Sequence, residues 1–235
     1  MSATARTVAI IVPTLNEAEN IAPLVARFVA TGVQFQEILF VDDRSTDGTQ
    51  DAIRSVTATC RVRLIERDRS EFGLASAIMT GARAAESEIL LVLDADLSHP
   101  PERSKDLLSP LLEDQADIVI GSRYINGGST PGWPLWRRAL SRCGSALVYP
   151  LTGVHDSMSG FFAISRSKLL ELAPPTTGFK IVFETIIRGG RNLRVREIPI
   201  AFCDRARGQS KMTLGIALRF FSRWLVAFCR HILGG

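Results

Sequence analysis

Five short apolar runs divide the first half of this chain, and a stretch with helical period separates each from the next. The runs are residues 7–13 (TVAIIVP), 37–41 (EILFV), 62–66, 88–93 (EILLVL) and 117–121 (DIVIG). They are rich in β-branched residues and nearly continuous in hydrophobicity, as strands buried on both faces are. The intervening segments predict helices over 17–31, 48–59, 74–86 and 101–114. In the first of these Ile21, Leu24, Val25 and Phe28 share one face. Asp47 predicts the cap of the second, and Pro101 stands near the first turn of the fourth. Strict alternation of strand and helix leaves few folds open. The expectation is an α/β fold with a mostly parallel, doubly wound sheet flanked by helices.

After residue 121 the rhythm breaks. A Gly-rich loop from Asn126 to Gly132 leads into a Trp- and Arg-rich helix near 134–149. Then come a strand at 160–165, helices at 166–172 and 181–189, a strand at 194–202 and a long helix over 213–232. No linker interrupts the 235 residues, so one domain with a C-terminal extension is expected. Charge divides at the same place. Residues 1–120 hold eleven Lys and Arg against nineteen Asp and Glu, a balance of −8, whereas residues 121–235 hold 17 against 5, a balance of +12. An acidic front half suits cations, and a basic back half suits an anionic partner or is simply a solvated face. The four cysteines, at 60, 143, 203 and 229, are too scattered for a zinc site or a disulfide framework. They fit a reducing compartment and read as small buried residues. The apolar run Val8–Val12 is too short for a signal peptide, and no stretch of roughly 18 uncharged apolar residues predicts a membrane span.

In doubly wound sheets, ligands bind outside the carboxyl ends of the strands. If the strand order begins 3-2-1-4, those ends carry Pro13 to Glu17, Asp42 and Asp43, and Asp94 to Asp96. Acidic residues distant in sequence then meet on one rim. Asp94 and Asp96, two apart on extended backbone, point the same way. They suit a hard cation such as Mg²⁺ or Mn²⁺, or else form a solvated turn. Asp42-Asp43 reads either as base or ribose recognition or as simple solvation, while Asp47-Gly48 is a turn and cap signal. The turn after the first strand has no Gly-x-Gly-x-x-Gly and no Gly-Lys-Ser/Thr, which disfavours a dinucleotide site of the dehydrogenase type and a P-loop.

These motifs, in this order, resemble family 2 glycosyltransferases of the GT-A fold, a Rossmann-like architecture. They are Val12-Pro13-Thr14-Leu15-Asn16-Glu17; Val41-Asp42-Asp43 with Ser45 and Asp47-Gly48-Thr49; and Leu93-Asp94-Ala95-Asp96-Leu97-Ser98-His99-Pro100. Gly121-Ser122-Arg123-Tyr124 with Gly127-Gly128, Asp156-Ser157-Met158-Ser159-Gly160-Phe161, and Asp204-Arg205 with Gly208-Gln209-Ser210-Lys211 resemble the dolichyl-phosphate mannosyltransferase branch. The resemblance runs from about residue 7 to 215. It implies a glycosyltransferase domain over 1–211, followed by an amphipathic extension at 212–235. It also implies that Pro13, Leu15, Glu17, Val41 and Asp43 hold the nucleoside, Leu15 replacing a frequent tyrosine. Asp94, Ala95 and Asp96 sit at the diphosphate, with Asp94 and Asp96 holding Mg²⁺ or Mn²⁺ and Ser98 falling where some relatives place a metal-supporting glutamine. Arg123, Lys180, Arg205 and Lys211 contact sugar-nucleotide or acceptor phosphates. Asp156 either orients acceptor or sugar or caps the turn into 160–165. His99 is expected beside the metal loop; His155 and His231 read as surface residues.

The implied reaction is inverting transfer of a sugar, mannose from GDP-mannose first, to a polyprenyl or dolichyl phosphate. UDP-glucose as donor, a soluble acceptor, or a non-catalytic nucleotide- or RNA-binding module are the other readings. Intact Asp94 and Asp96, and the lack of basic runs interleaved with stacking aromatics, argue against nucleic acid as a partner. On the predicted helix 213–232, Arg219, Arg223 and Arg230 fall within a narrow arc of an otherwise apolar surface. Trp133, Trp136, Arg137, Arg138 and Arg142 form a second aromatic and basic cluster. Both predict helices lying in a membrane interface, the alternative for 213–232 being packing on the sheet or on a second copy. A chain ending at Gly235 is then expected to be peripheral at the cytoplasmic face of a membrane, or to depend on a separate membrane subunit.

Overall fold

A computed structural model describes residues 6–56, 61–68, 73–172 and 180–204. The predicted helix at 213–232, the boundary at 211, Arg205 and Lys211 lie outside them. In chain order the elements are β1 (Val8–Thr14), α1 (Ala18–Ala30), β2 (Glu37–Asp42), α2 (Thr49–Ser55), β3 (Arg61–Glu66), α3 (Leu74–Ala84) and β4 (Ile89–Val92). A 3-10 turn at Pro101–Arg103 then opens α4 (Ser104–Leu112). It is followed by β5 (Ile118–Ser122), α5 (Leu135–Thr152), β6 (Phe162–Ser165), α6 (Arg166–Leu172), α7 (Ile181–Gly189) and β7 (Val195–Pro199).

The seven strands form one sheet in the order β3-β2-β1-β4-β6-β5-β7. The order 3-2-1-4 expected from the sequence is present, and β1 pairs in parallel with β2 and β4. Side chains alternate between the two faces, as pleating requires. Val8, Ile10 and Val12 pack with Ile21, Leu24, Val25 and Phe28 of α1 and with Leu107, Leu108 and Leu111 of α4. Ala9 and Ile11 face the opposite way, against Ala77, Ile78 and Ala82 of α3 and, across the same face, α6 and α7. Both faces are covered, which is why the strands read as unbroken apolar runs. The approach of α3 is close: a Cβ on Gly81 would stand 2.8 Å from Ile11 Cγ2.

The departure from a simple doubly wound sheet is β6. It runs antiparallel between β4 and β5, pairing Val92 with Phe162 on one side and Ile120 with Phe162 on the other. An antiparallel strand starts where its neighbours end. The loop entering β6, residues 153–161, therefore arrives at the carboxyl rim, beside Asp94 and Arg123. β7, parallel to β5, exits at the same rim. Its continuation is tied down by four backbone bonds, the first from Ile200 N to Ser122 O (3.0 Å). Ser129 N donates to Ile200 O (3.0 Å), Phe202 N to Ser129 O (2.9 Å) and Cys203 N to Ser98 O (3.1 Å).

Three sequence expectations change. The cap of α2 is Gly48, in the left-handed region, rather than Asp47. Asp47 still serves it from one residue earlier, accepting Thr49 N at 3.0 Å, and accepts Ala18 N at the start of α1 as well. Cys143 and Cys203 are exposed, not buried. Trp133 is buried, separated from the exposed Trp136 with which the sequence groups it. Among the described residues no helix is long and apolar enough to cross a membrane.

Candidate functional site

Three rim loops hold a non-glycine residue in the left-handed region: Asn16 after β1 (φ 56°), Arg44 after β2 (φ 61°) and Leu97 after β4 (φ 61°). This conformation costs roughly 1–2 kcal/mol per L-residue, so the surrounding hydrogen bonds must enforce it. They do so through carboxylates. Asp42 is fully buried and accepts from Thr14 Oγ1 (3.0 Å), Ser45 N (2.9 Å), Ser45 Oγ (2.5 Å) and Gln50 Nε2 (2.9 Å). Of the Asp42-Asp43 pair, the first is thus a structural knot that shapes the loop.

Asp43 faces the rim. It is met by buried Arg67, whose Nη1 lies 2.6 Å from Oδ1 and whose Nη2 donates to Ser76 Oγ. Burial pushes the Asp43 carboxyl up from its ordinary value, against the pull of Arg67. Glu17 sits beside it in the order of the sheet. Its N–H donates to Thr49 Oγ1 (2.8 Å), and its carboxylate accepts Asn20 Nδ2 (2.7 Å). Leu15 is exposed on the same rim and Pro13 is half-buried. Val41 and Ala95 turn their side chains into the core, which leaves only their backbone for a ligand.

After β4, Asp94 is partly exposed, whereas Asp96 is buried. The left-handed turn at Leu97 brings Ser98 back onto Asp96, whose Oδ1 accepts Ser98 N (3.0 Å) and Ser98 Oγ (2.5 Å). His99 packs behind them, buried, with ring contacts to Phe161 and Phe202. Its Nε2 stands 3.4 Å from Asp94 Oδ2. A Cβ on Gly160 would come within 3.1 Å of that oxygen and 3.3 Å of His99 Nε2, so a side chain there would crowd the contact. Asp94 and Asp96 offer hard oxygen donors of the kind Mg²⁺ and Mn²⁺ prefer. Among the described residues no three His, Cys, Asp or Glu side chains gather into a cage.

The basic side of the rim is built on Arg123, which follows β5. Asp156, fully buried, grips it: Asp156 Oδ2 accepts Arg123 N (2.9 Å) and Nε (2.7 Å), and Oδ1 accepts Nη2 (2.7 Å). Burial pulls the guanidinium's pKa down, but Asp156 more than offsets this and holds it above the ordinary arginine value. Tyr124, Trp133 and Phe202 wall the guanidinium at 5.1, 5.7 and 5.4 Å from their ring centres. Lys180, preceding α7, lies in the same field. Its ammonium is pushed down to about 8 by burial and by the Arg123 charge, against the pull of Asp94 and Asp156.

The structure therefore gathers Asp94, Arg123, Asp156 and Lys180 into one electrostatic neighbourhood, with Asp96 and Ser98 beside it and Asp43 further along the rim. The carboxylate of Asp156 is taken by Arg123, so this residue works on the arginine and not as a bare turn cap. Sequence reasoning overlooked Arg67, Trp133 as a wall of the site, and Phe202. Arg67 carried a findable signal, an arginine just past a strand end on the rim.

The family model for glycosyl transferase family 2 matches residues 9–181. Three dolichol-phosphate mannosyltransferases are similar in sequence. The protein of Pyrococcus furiosus is 37% identical over 87% of this chain and 59% of its own length. That of Mycosarcoma maydis is 34% identical, over 96% and 80%, and that of Saccharomyces cerevisiae is 34% identical, over 91% and 84%. This chain thus spans less than two thirds of the archaeal relative. Among solved structures, glucosyl-3-phosphoglycerate synthase of Mycobacterium tuberculosis superposes with a TM-score of 0.72 in a complex with Mn²⁺, UDP-glucose and phosphoglyceric acid. It is 22% identical over 94% of this chain and 79% of that one. A complex of the same enzyme with phosphoglyceric acid gives 0.73. At that identity the likeness is one of fold.

Proposed function

This chain belongs to glycosyl transferase family 2, and from that footing we propose that it transfers mannose from GDP-mannose to a dolichyl-type polyprenyl phosphate, with inversion at the sugar carbon. The observation that carries this reading is the single rim on which acidic Asp94 and Asp96 meet basic Arg123 and Lys180. Its support in sequence is the likeness to three dolichol-phosphate mannosyltransferases.

Asp43, set by Arg67, and Glu17 take the nucleoside, with Pro13, Leu15 and Val41 lining its place. Asp94 and Asp96 hold the divalent cation, Mg²⁺ or Mn²⁺, with Ser98 orienting Asp96. Bound there, such a cation offsets the negative charge that grows on the departing diphosphate. Arg123 and Lys180 contribute in the same sense from the other side of the rim, where burial strengthens them. Arg205 and Lys211 contact the same phosphates in this reading. The acceptor oxygen belongs to a phosphate already anionic near neutral pH. It needs positioning more than deprotonation, so the chain requires no general base there. Asp156 supplies the positioning by fixing Arg123.

The membrane is met through α5. At ~100° per residue, Trp136, Leu140, Cys143 and Leu147 fall in one stripe. Trp136, Leu140 and Leu147 are 69, 62 and 55% exposed, while Ser145 and Val148 on the far side are buried. Arg138 and Arg142, both exposed, fall on the opposite side of the helix from this stripe. An exposed apolar stripe that carries a tryptophan suits the headgroup boundary. We place the chain as a peripheral protein at the cytoplasmic face of the membrane bearing its acceptor, with or without a membrane subunit.

The test is transfer of radiolabelled mannose from GDP-mannose to a short polyprenyl phosphate in detergent, with UDP-glucose in parallel. Lipid-extractable label from GDP-mannose is expected, abolished by chelator and reduced at least ~100-fold in Asp96→Ala. Label from UDP-glucose alone would reassign the donor, and none from either would end the lipid-acceptor reading.

A further inference from the structure

Glu197 lies in β7, a strand with no residue of the expected site, yet its side chain is only 12% exposed. Its carboxylate accepts three bonds from two consecutive residues across the rim. Oε2 accepts His155 N and His155 Nδ1, each at 2.9 Å, and Oε1 accepts Asp156 N at 3.0 Å. The next contact outward is Asp156 on Arg123, through three bonds of 2.7 to 2.9 Å. An uninterrupted path thus runs from an edge strand, through the backbone of one turn, to the cation of the site.

The turn needs such an anchor. Residues 153–161 connect α5 to β6, and Asp156 hangs near the middle of that loop. The internal bond of the turn, Ser159 N to Asp156 O at 3.2 Å, closes it but does not orient it toward β5. Glu197 does, because β7 is hydrogen-bonded to β5 in fixed register, with Glu197 opposite Ile120, three residues before Arg123. Carboxylate and guanidinium are then referred to the same two strands.

We propose that Glu197 is a positioning residue of the transfer site, fixing the His155–Asp156 turn and through it the angle at which Arg123 meets substrate phosphate. This rests on the phosphate-binding role proposed above for Arg123. The chemistry makes the carboxylate hard to replace. Both oxygens accept from N–H donors, so in Glu197→Gln either amide orientation sets an NH₂ against an N–H. His155 contributes a side-chain bond in addition to the two backbone bonds, which survive its removal.

The decisive experiment combines steady-state kinetics with a double-mutant cycle and an arginine side-chain NMR measurement on the full chain. Glu197→Gln is expected to lower kcat/KM about 10- to 100-fold, as loss of an orienting partner commonly does. KM for the sugar nucleotide should move less than kcat. In an Arg123→Lys background the same substitution should cost less than about threefold, because the residue it acts through is gone. His155→Ala should stay within about twofold of the parent. In ¹⁵N spectra the Arg123 Nε–H, identified by its loss in Arg123→Lys, should be slow to exchange in the parent and fast in Glu197→Gln. Equal fold losses in both backgrounds, or an unchanged Arg123 signal, would overturn the proposal and leave Glu197 a fold residue only. If the parent transfers no sugar, the activity reading falls by itself, and the NMR arm still decides whether Glu197 holds Arg123.

Discussion

At the residue scale, Lys180 has the property most open to measurement. Folding lowers its pKa from the ordinary 10.5 to about 8, chiefly by burial. Between those values the unfolded chain binds more protons, so this group's contribution to stability rises with pH across that window. Below pH 8 the folded chain carries the ammonium against the cost of its burial. Function runs the other way, since a phosphate needs the charged form. The alkaline limb of kcat/KM, which reports on the free enzyme, is expected to fall with a midpoint near pH 8. Lys180→Arg should flatten that limb while leaving the chain able to bind anions. A limb unmoved by the substitution would remove Lys180 from the phosphate site. The sequence offered Lys180 and Arg123 only through the resemblance. It could not offer their mutual field, which depends on β5 and α7 approaching one rim. Nor could Asp42 and Asp43 be told apart, because adjacent carboxylates at a strand end look alike until the pleat sends one inward.

At the scale of elements, the strands before residue 121 were legible because burial on both faces leaves an unmistakable run of apolar residues. The β6 strand was legible as a strand but not in its direction. Phe162, Ala163 and Ile164 are all buried, and four residues without alternation do not say which way they run. That one ambiguity hid the arrival of the Asp156 loop beside Arg123. Trp133 was misjudged for a related reason: an aromatic next to arginines reads equally as a membrane anchor or as a wall. The close contact of α3 on the sheet supplies a test of packing. Gly81→Val would drive a branched side chain into Ile11 and Val41. Overpacking of this kind costs about 1–3 kcal/mol, which equilibrium urea unfolding would register as a lower midpoint at unchanged slope. An unchanged midpoint would mean that α3 sits further from β1 than the structure has it.

At the scale of the whole molecule, residues from the acidic and the basic halves of the chain meet on one rim. The front half brings Asp43, Asp94 and Asp96; the back half brings Arg123 and Lys180. In the proposed reaction, donor and lipid acceptor would be held where the two sets of charges meet. Replacing Trp136, Leu140 and Leu147 together by serine should cut sedimentation with anionic vesicles at least about tenfold. It should also raise KM for the polyprenyl phosphate by a comparable factor, and leave KM for the sugar nucleotide within about twofold. Vesicle binding that survives the triple replacement would assign the contact to another surface.

The placement of β6 also sets a timetable. Val92 and Phe162 pair directly although seventy positions separate them, and such distant pairings form late because the intervening chain must first be closed into a loop. At a synthesis rate of about 5–20 residues per second, roughly 4 to 14 seconds pass between the emergence of those two residues. During that interval the nascent chain has the acidic residues of its rim but neither the Asp156 loop nor the Glu197 strand that follows. The carboxylates of the rim thus leave the ribosome before the loop that holds Arg123, and the two are brought together only when β6 and β7 dock.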